Sequence, residues 1–153
     1  VSKLIIVLLI AFSSFVKAND AFSSDQLKEM AHAFVKAKNS RQQPNTTVKD
    51  IDHFISLLAD NFIDEHVKYN FIYTDKTKLK TDMIAKMKDK IIFSSIEINE
   101  LMVGRNVVFI KMTETGKVKP SHLDKIVEYT KTNILSLEFN DKGLIKHIRR
   151  HHG

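Results

Sequence analysis

The chain has 153 residues, with 24 Lys and Arg against 18 Asp and Glu for a formal net charge of +6, and no cysteine. That length suits one domain with a real core, and the lack of cysteine excludes a disulfide framework and a thiol nucleophile. The charge excess is modest and its lysines are spread round helical surfaces rather than gathered on one face among aromatics, which argues against a nucleic-acid partner.

Near the start, Lys3 precedes the apolar run Leu4-Ile5-Ile6-Val7-Leu8-Leu9-Ile10-Ala11-Phe12, followed by Val16-Lys17-Ala18. A basic residue, a short apolar stretch and small side chains at the cleavage positions predict a secretory signal peptide over residues 1–18, cut after Ala18. The run is shorter than the roughly 20 residues a spanning helix takes. No stable membrane insertion is expected once it is removed, although an uncleaved anchor is the alternative. The leading Val1 fits a bacterial alternative start codon or a chain trimmed by one residue. The expected destination is periplasmic or secreted, and residues 19–153 form the expected single domain.

Ser23 and Gln26 have the spacing of a capping box, and Leu27, Met30, Ala31, Phe34 and Val35 follow at helical intervals, predicting a first helix to about Lys38. After a polar connector containing Pro44, Thr47 and Asp50 repeat the capping signal. Ile51, Phe54, Ile55, Leu58 and Phe62 then predict a second amphipathic helix ending near Asp60. Residues 63–73 are short and aromatic-rich, suiting one or two short strand pieces. A third helix begins after Asp75, with Leu79, Met83, Ile84 and Met87 on one side.

Two longer strands are predicted over residues 91–103 and 107–115, joined by Gly104-Arg105-Asn106, with Thr115-Gly116-Lys117 read as a loop. Next, Tyr129, Asn133, Leu135, Leu137 and Phe139 alternate with Glu128, Thr130, Thr132, Ser136 and Glu138, the pattern of a half-buried strand. Asn140-Asp141-Lys142-Gly143 is a turn, with Gly143 supplying a positive φ, and the chain returns through Leu144, Ile145 and Ile148. The expected class is α+β: a cone-shaped, strongly curved antiparallel sheet with about three helices packed on its concave side, leaving a hollow that side chains fill or a ligand occupies.

That order of elements, together with Leu57-Leu58-Ala59-Asp60-Asn61-Phe62 before the first strand and Leu137-Glu138-Phe139-Asn140-Asp141-Lys142-Gly143-Leu144-Ile145 near the end, resembles the nuclear transport factor two-like superfamily, which includes SnoaL-like polyketide cyclases and ketosteroid isomerases. The resemblance spans about residues 25–151. It implies the cone fold but no single activity, because the superfamily carries isomerases, cyclases, dehydratases, epoxide hydrolases and plain binding or assembly modules. In isomerase-like members an acidic base lies on the first strand, and counting from Ala59-Asp60 the similar position here is His66, with Asp64 and Glu65 as neighbouring candidates. The resemblance also asks for an oxyanion-site tyrosine, for which Tyr69, Tyr73 and Tyr129 are available.

Each candidate has a chemical and a structural reading. His66 has a reference pKa of about 6.5 that suits proton transfer near neutrality, or it is a strand-end histidine bonded to backbone. Glu114 ends the alternation Val108, Ile110, Met112. It is either a pocket acid or, as the loop-like residues after it favour, a carboxylate reaching solvent at the rim. Asn133 on an apolar face needs a partner, whether ligand, water or backbone, and Tyr129 offers a hydroxyl on the same face. Arg149, Arg150, His151 and His152 make a basic strand end, a solvated tail or a seat for an anionic group with Arg149 in contact.

No histidine spacing suits a metal, and no glycine pattern suits a phosphate, so no cofactor is expected. The sequence therefore points to an exported domain that holds a small, partly apolar molecule in its sheet cavity, as a homodimer through the sheet's outer surface. The alternatives are a cofactor-independent isomerase, cyclase or dehydratase with His66 as general base, and a pocketless assembly module. Tyr69, Tyr129, Asn133 and Arg149 are the expected ligand contacts.

Overall fold

The computed structural model describes residues 21–153; the expected signal segment lies outside the described residues. Helix α1 (Ser24–Ser40) starts with the expected capping box, Ser23 and Gln26 each bonding the other's backbone N–H. Helix α2 (Val48–Ser56) starts with the Thr47–Asp50 box. Strands β1 (Leu58–His66) and β2 (Phe71–Tyr73) follow, then α3 (Lys76–Ala85), whose first turn is capped by the Asp75 carboxylate. Strands β3 (Lys90–Gly104), β4 (Val107–Lys119), β5 (Val127–Phe139) and β6 (Ile145–His152) complete the chain.

The strands form one six-stranded sheet in the order β2-β1-β6-β5-β4-β3. From β3 to β6 it is the expected antiparallel meander. The turn between β5 and β6 has Gly143 at φ +77, with Asn140 Oδ1 accepting from the N–H groups of Lys142 and Leu144. Register shifts in β3 at Ile91/Phe93 and Ile98/Glu100 bend the long strands, because an extra residue on one strand increases local twist. Helix α1 packs against β3 and β4, and α2 joins α1, α3 and β1. The core between them is built on Phe34, Phe54 and Phe62 against Ile110, Leu135, Leu137 and Ile148. The Phe34 and Phe54 rings meet at 5.5 Å in a tilted pair.

Three sequence expectations need correction. The sheet is mixed rather than wholly antiparallel, because β1 pairs parallel to β6, with Leu58 opposite Ile145 and His66 opposite Arg150. The second helix ends at Ser56, not near Asp60: Leu57 caps it, the Leu57 carbonyl accepts from Ile145 N–H, and Leu58 and Phe62 are buried strand residues. Their i, i+4 spacing from Phe54 fits a helix too, and pairing with β6 decided the matter. Finally, Thr115-Gly116-Lys117 is strand, not loop. Gly116 pairs with Tyr129, and a Cβ there would lie 2.5 Å from the Tyr129 hydroxyl oxygen, so the glycine gives that ring its place across the backbone.

Candidate functional site

Beneath the end of α1 the sheet encloses a cavity of about 740 Å³, within the range of small-molecule sites. Its floor comes from alternation on four strands. Asp64 and His66 face inward from β1, Glu114 from β4, Asn133 from β5, and Arg150 and His152 from β6. Lys38 and Arg41 come down from the last turn of α1. Leu79, Met83 and Met87 on the α3 side face Ile91 and Phe93 of β3 and make an apolar wall.

The floor is a buried charged network. Arg150 grips Asp64 with two parallel bonds, Nε to Oδ1 at 2.6 Å and Nη2 to Oδ2 at 2.9 Å, the bidentate geometry in which a guanidinium pairs best. Lys38 Nζ donates to Glu114 Oε1 at 2.8 Å, and Asn133 Nδ2 donates to the same oxygen at 2.8 Å. A carboxylate only accepts, which fixes the Asn133 amide with its nitrogen toward Glu114. Asn133 Oδ1 is thereby left buried without a partner, as is Arg41 Nε. The Arg41 guanidinium stacks 4.5 Å over the Phe54 ring.

These surroundings set the charge states. Burial pushes the Lys38 amine down most. Glu114 opposes the fall, the Arg41 and Arg150 charges add to it, and the result is about 7. Burial pushes the Glu114 carboxyl up, but Lys38, Lys131 and the Asn133 hydrogen bond outweigh it and hold the group below its ordinary value. Asp64 likewise stays ionised, because the Arg150 charge and hydrogen bonds overcome its burial. His66 is brought down to about 4 by burial and the Arg150 charge, so its ring is neutral at pH 7. Its Nδ1 lies 3.2 Å from His152 Nε2 and its Nε2 3.6 Å from Asp64 Oδ1, so both ring nitrogens face protein groups. Arg41 falls to about 10 through burial and the Arg150 charge and remains a cation.

Four of the six expected residues line this cavity: His66, Glu114, Tyr129 and Asn133. Glu114 is 7% exposed, deep at the floor rather than at the rim. The other two lie outside its lining. Tyr69 is 63% exposed in the single turn Val67–Tyr69 and lies outside the lining, its ring 5.1 Å from that of His152. Arg149 points to the other face of β6, with Nε 3.3 Å from Glu65 Oε2. Strand parity places Arg150, not Arg149, inside.

No family model matches the sequence, and no curated protein matches it. Solved structures do. A protein described as a SnoaL-like polyketide cyclase from Shewanella denitrificans superposes with a TM-score of 0.68 at 10% identity, over 83% of this chain and 90% of that one. A protein described as an LEH-like epoxide hydrolase of M. tuberculosis gives 0.62 at 15% identity, over 84% of each chain. A ketosteroid isomerase-like protein from Kribbella flavida gives 0.57 at 11% identity, over 84% and 78%. The chain has the nuclear transport factor two-like fold.

On this nuclear transport factor two-like fold, sequence reasoning missed Lys38 and Arg41 and named Arg150 only within the basic strand end, although the signals were present. Lys38 sits four residues after Phe34 and three after Val35, on the buried stripe of α1, and Arg41 lies three further on. Arg150 is two residues after the buried Ile148, on the inward parity of β6. Lysine and arginine at helix and strand ends look like solvated termini unless that periodicity is followed through the charge. Among the described residues no group of three or more metal-ligating side chains comes together.

Proposed function

We propose that this domain binds a small, partly apolar molecule in the sheet cavity. The observation that carries the reading is the pairing of an apolar wall with a buried polar floor that protein groups leave incomplete, at Asn133 Oδ1 and Arg41 Nε. An orphaned buried polar atom costs roughly 1–3 kcal/mol, more when charged, and such costs are kept where a ligand or reaction needs them. The working form is taken to be exported, in the periplasm or outside the cell. It is also taken to be a homodimer through the outer sheet face, where Met102 sits opposite Phe109 beside exposed Ile134.

Native mass spectrometry of the protein purified gently from a bacterial host tests this. A co-purified small molecule supports the reading and its mass names the class to assay, while the same spectrum reports dimer or monomer. A bare protein that binds nothing from a broad apolar metabolite set sinks it.

The neutral His66 and the near-neutral Lys38 in one cavity favour a second reading, a cofactor-independent isomerase, cyclase or dehydratase in which one of them carries the proton. Turnover of the bound molecule that is lost in His66→Gln or Lys38→Met, with binding retained, would select it over simple binding.

A further inference from the structure

The cavity floor holds three cations, Lys38, Arg41 and Arg150, against two carboxylates, Asp64 and Glu114. Those carboxylates are already engaged: Asp64 is held in two bonds by Arg150, and Glu114 bonds Lys38 and Asn133. Arg41 is the cation left over. Its Nε has no hydrogen-bond partner, and the Phe54 ring, 4.5 Å from its Cζ, does not neutralise it. The imbalance continues outward, for among the described residues the lining has seven Lys or Arg side chains and four Asp or Glu. Two of those four are occupied as well, Asp82 by Tyr73 and Lys78, and Asp89 by the Ser121 backbone N–H.

We infer that the molecule held in this cavity is an amphipathic carboxylate, with its carboxylate seated at Arg41 and its apolar body against Met83, Met87, Ile91 and Phe93. This deepens the proposed small-molecule site and rests on it. A cation with no ion-pair partner of its own draws an anion, and its planar guanidinium presents the fork that a carboxylate fits. A neutral ligand would leave the guanidinium as it stands, partly buried, with its Nε unbonded and no ion pair of its own. The four wall residues belong to the 3-10 turn Lys86–Lys88, α3 and β3, and their methionines adapt to the outline of an apolar chain or ring.

The test is calorimetric titration of the purified full chain with matched pairs that differ only in the head: decanoate and decanamide, 4-butylbenzoate and 4-butylbenzamide. A charge-assisted bond predicts each carboxylate to bind at least about tenfold tighter than its amide. Arg41→Gln should shrink that preference to within about twofold while the amides bind as before, and Arg41→Lys should keep part of it. Circular dichroism on each variant establishes that it is folded. Amides that bind as well as carboxylates, or a preference that survives in folded Arg41→Gln, overturn the inference and leave the pocket reading standing. If no member of either series binds, the pocket reading falls and the inference falls with it.

Discussion

Replacing Lys38 with methionine tests the charged floor through the pH dependence of stability. In the folded protein burial brings this amine down to about 7, from an ordinary value of 10.5. Between those two values the unfolded chain keeps a proton that the folded chain has shed, so the unfolded state binds more protons and stability rises with pH. The cost of burying Lys38 is therefore fully present below about pH 7 and disappears as pH approaches 10.5. Within the window the slope approaches about 1.4 kcal/mol per pH unit, which from pH 7.5 to 9.0 amounts to about 2 kcal/mol. Methionine fills the same unbranched volume without a proton to lose. Urea unfolding at the two pH values, followed by circular dichroism because the chain has no tryptophan, should show wild type gaining about 2 kcal/mol on Lys38→Met. Differences that agree within about 0.5 kcal/mol at both pH values would mean that Lys38 titrates as an exposed lysine, and the argument from burial would fail.

Three further outcomes follow from particular contacts. Asp64→Asn leaves Arg150 buried without its carboxylate and should cost about 3–5 kcal/mol in urea unfolding, whereas Asp64→Leu with Arg150→Leu together should recover most of that loss. Gly116→Ala drives a Cβ into the Tyr129 ring and should cost about 1–3 kcal/mol, with Tyr129→Ala in the same chain relieving the clash; strictly additive losses would refute the contact. His66 should remain a neutral imidazole from pH 8 down to pH 5 by nitrogen-detected NMR, and a titration midpoint near 6.5 would place it in water instead of beside Arg150.

Much of the architecture can be read from local chemistry. Both capping boxes, the alternation on β5 and the Asn140–Gly143 turn act within a few residues and appear in the structure as the sequence implies. Errors arose where distant partners decided. Leu58 and Phe62 satisfy a helical stripe equally well, and only Ile145, far along the chain, draws them into β1. Gly116 reads as a turn until Tyr129 is set opposite it. The site divides in the same way. Glu114 and Asn133 follow from strand alternation, but their meeting with Lys38 depends on how α1 docks on the sheet. Arg149 and Arg150 carry the same charge, and only strand parity turns Arg150 toward the cavity and Arg149 toward Glu65.

The parallel seam between β1 and β6 bears on how this chain matures. Asp64 leaves the ribosome 86 residues ahead of Arg150, its partner in the double bond. Until β6 has emerged, β1 has only the three residues of β2 to pair with, and the helices before and after it have no finished sheet to cover. Such long-range closure is slow, and the sheet cannot close before β6 is in place. A truncation that removes β6 would abolish the whole fold instead of trimming one edge.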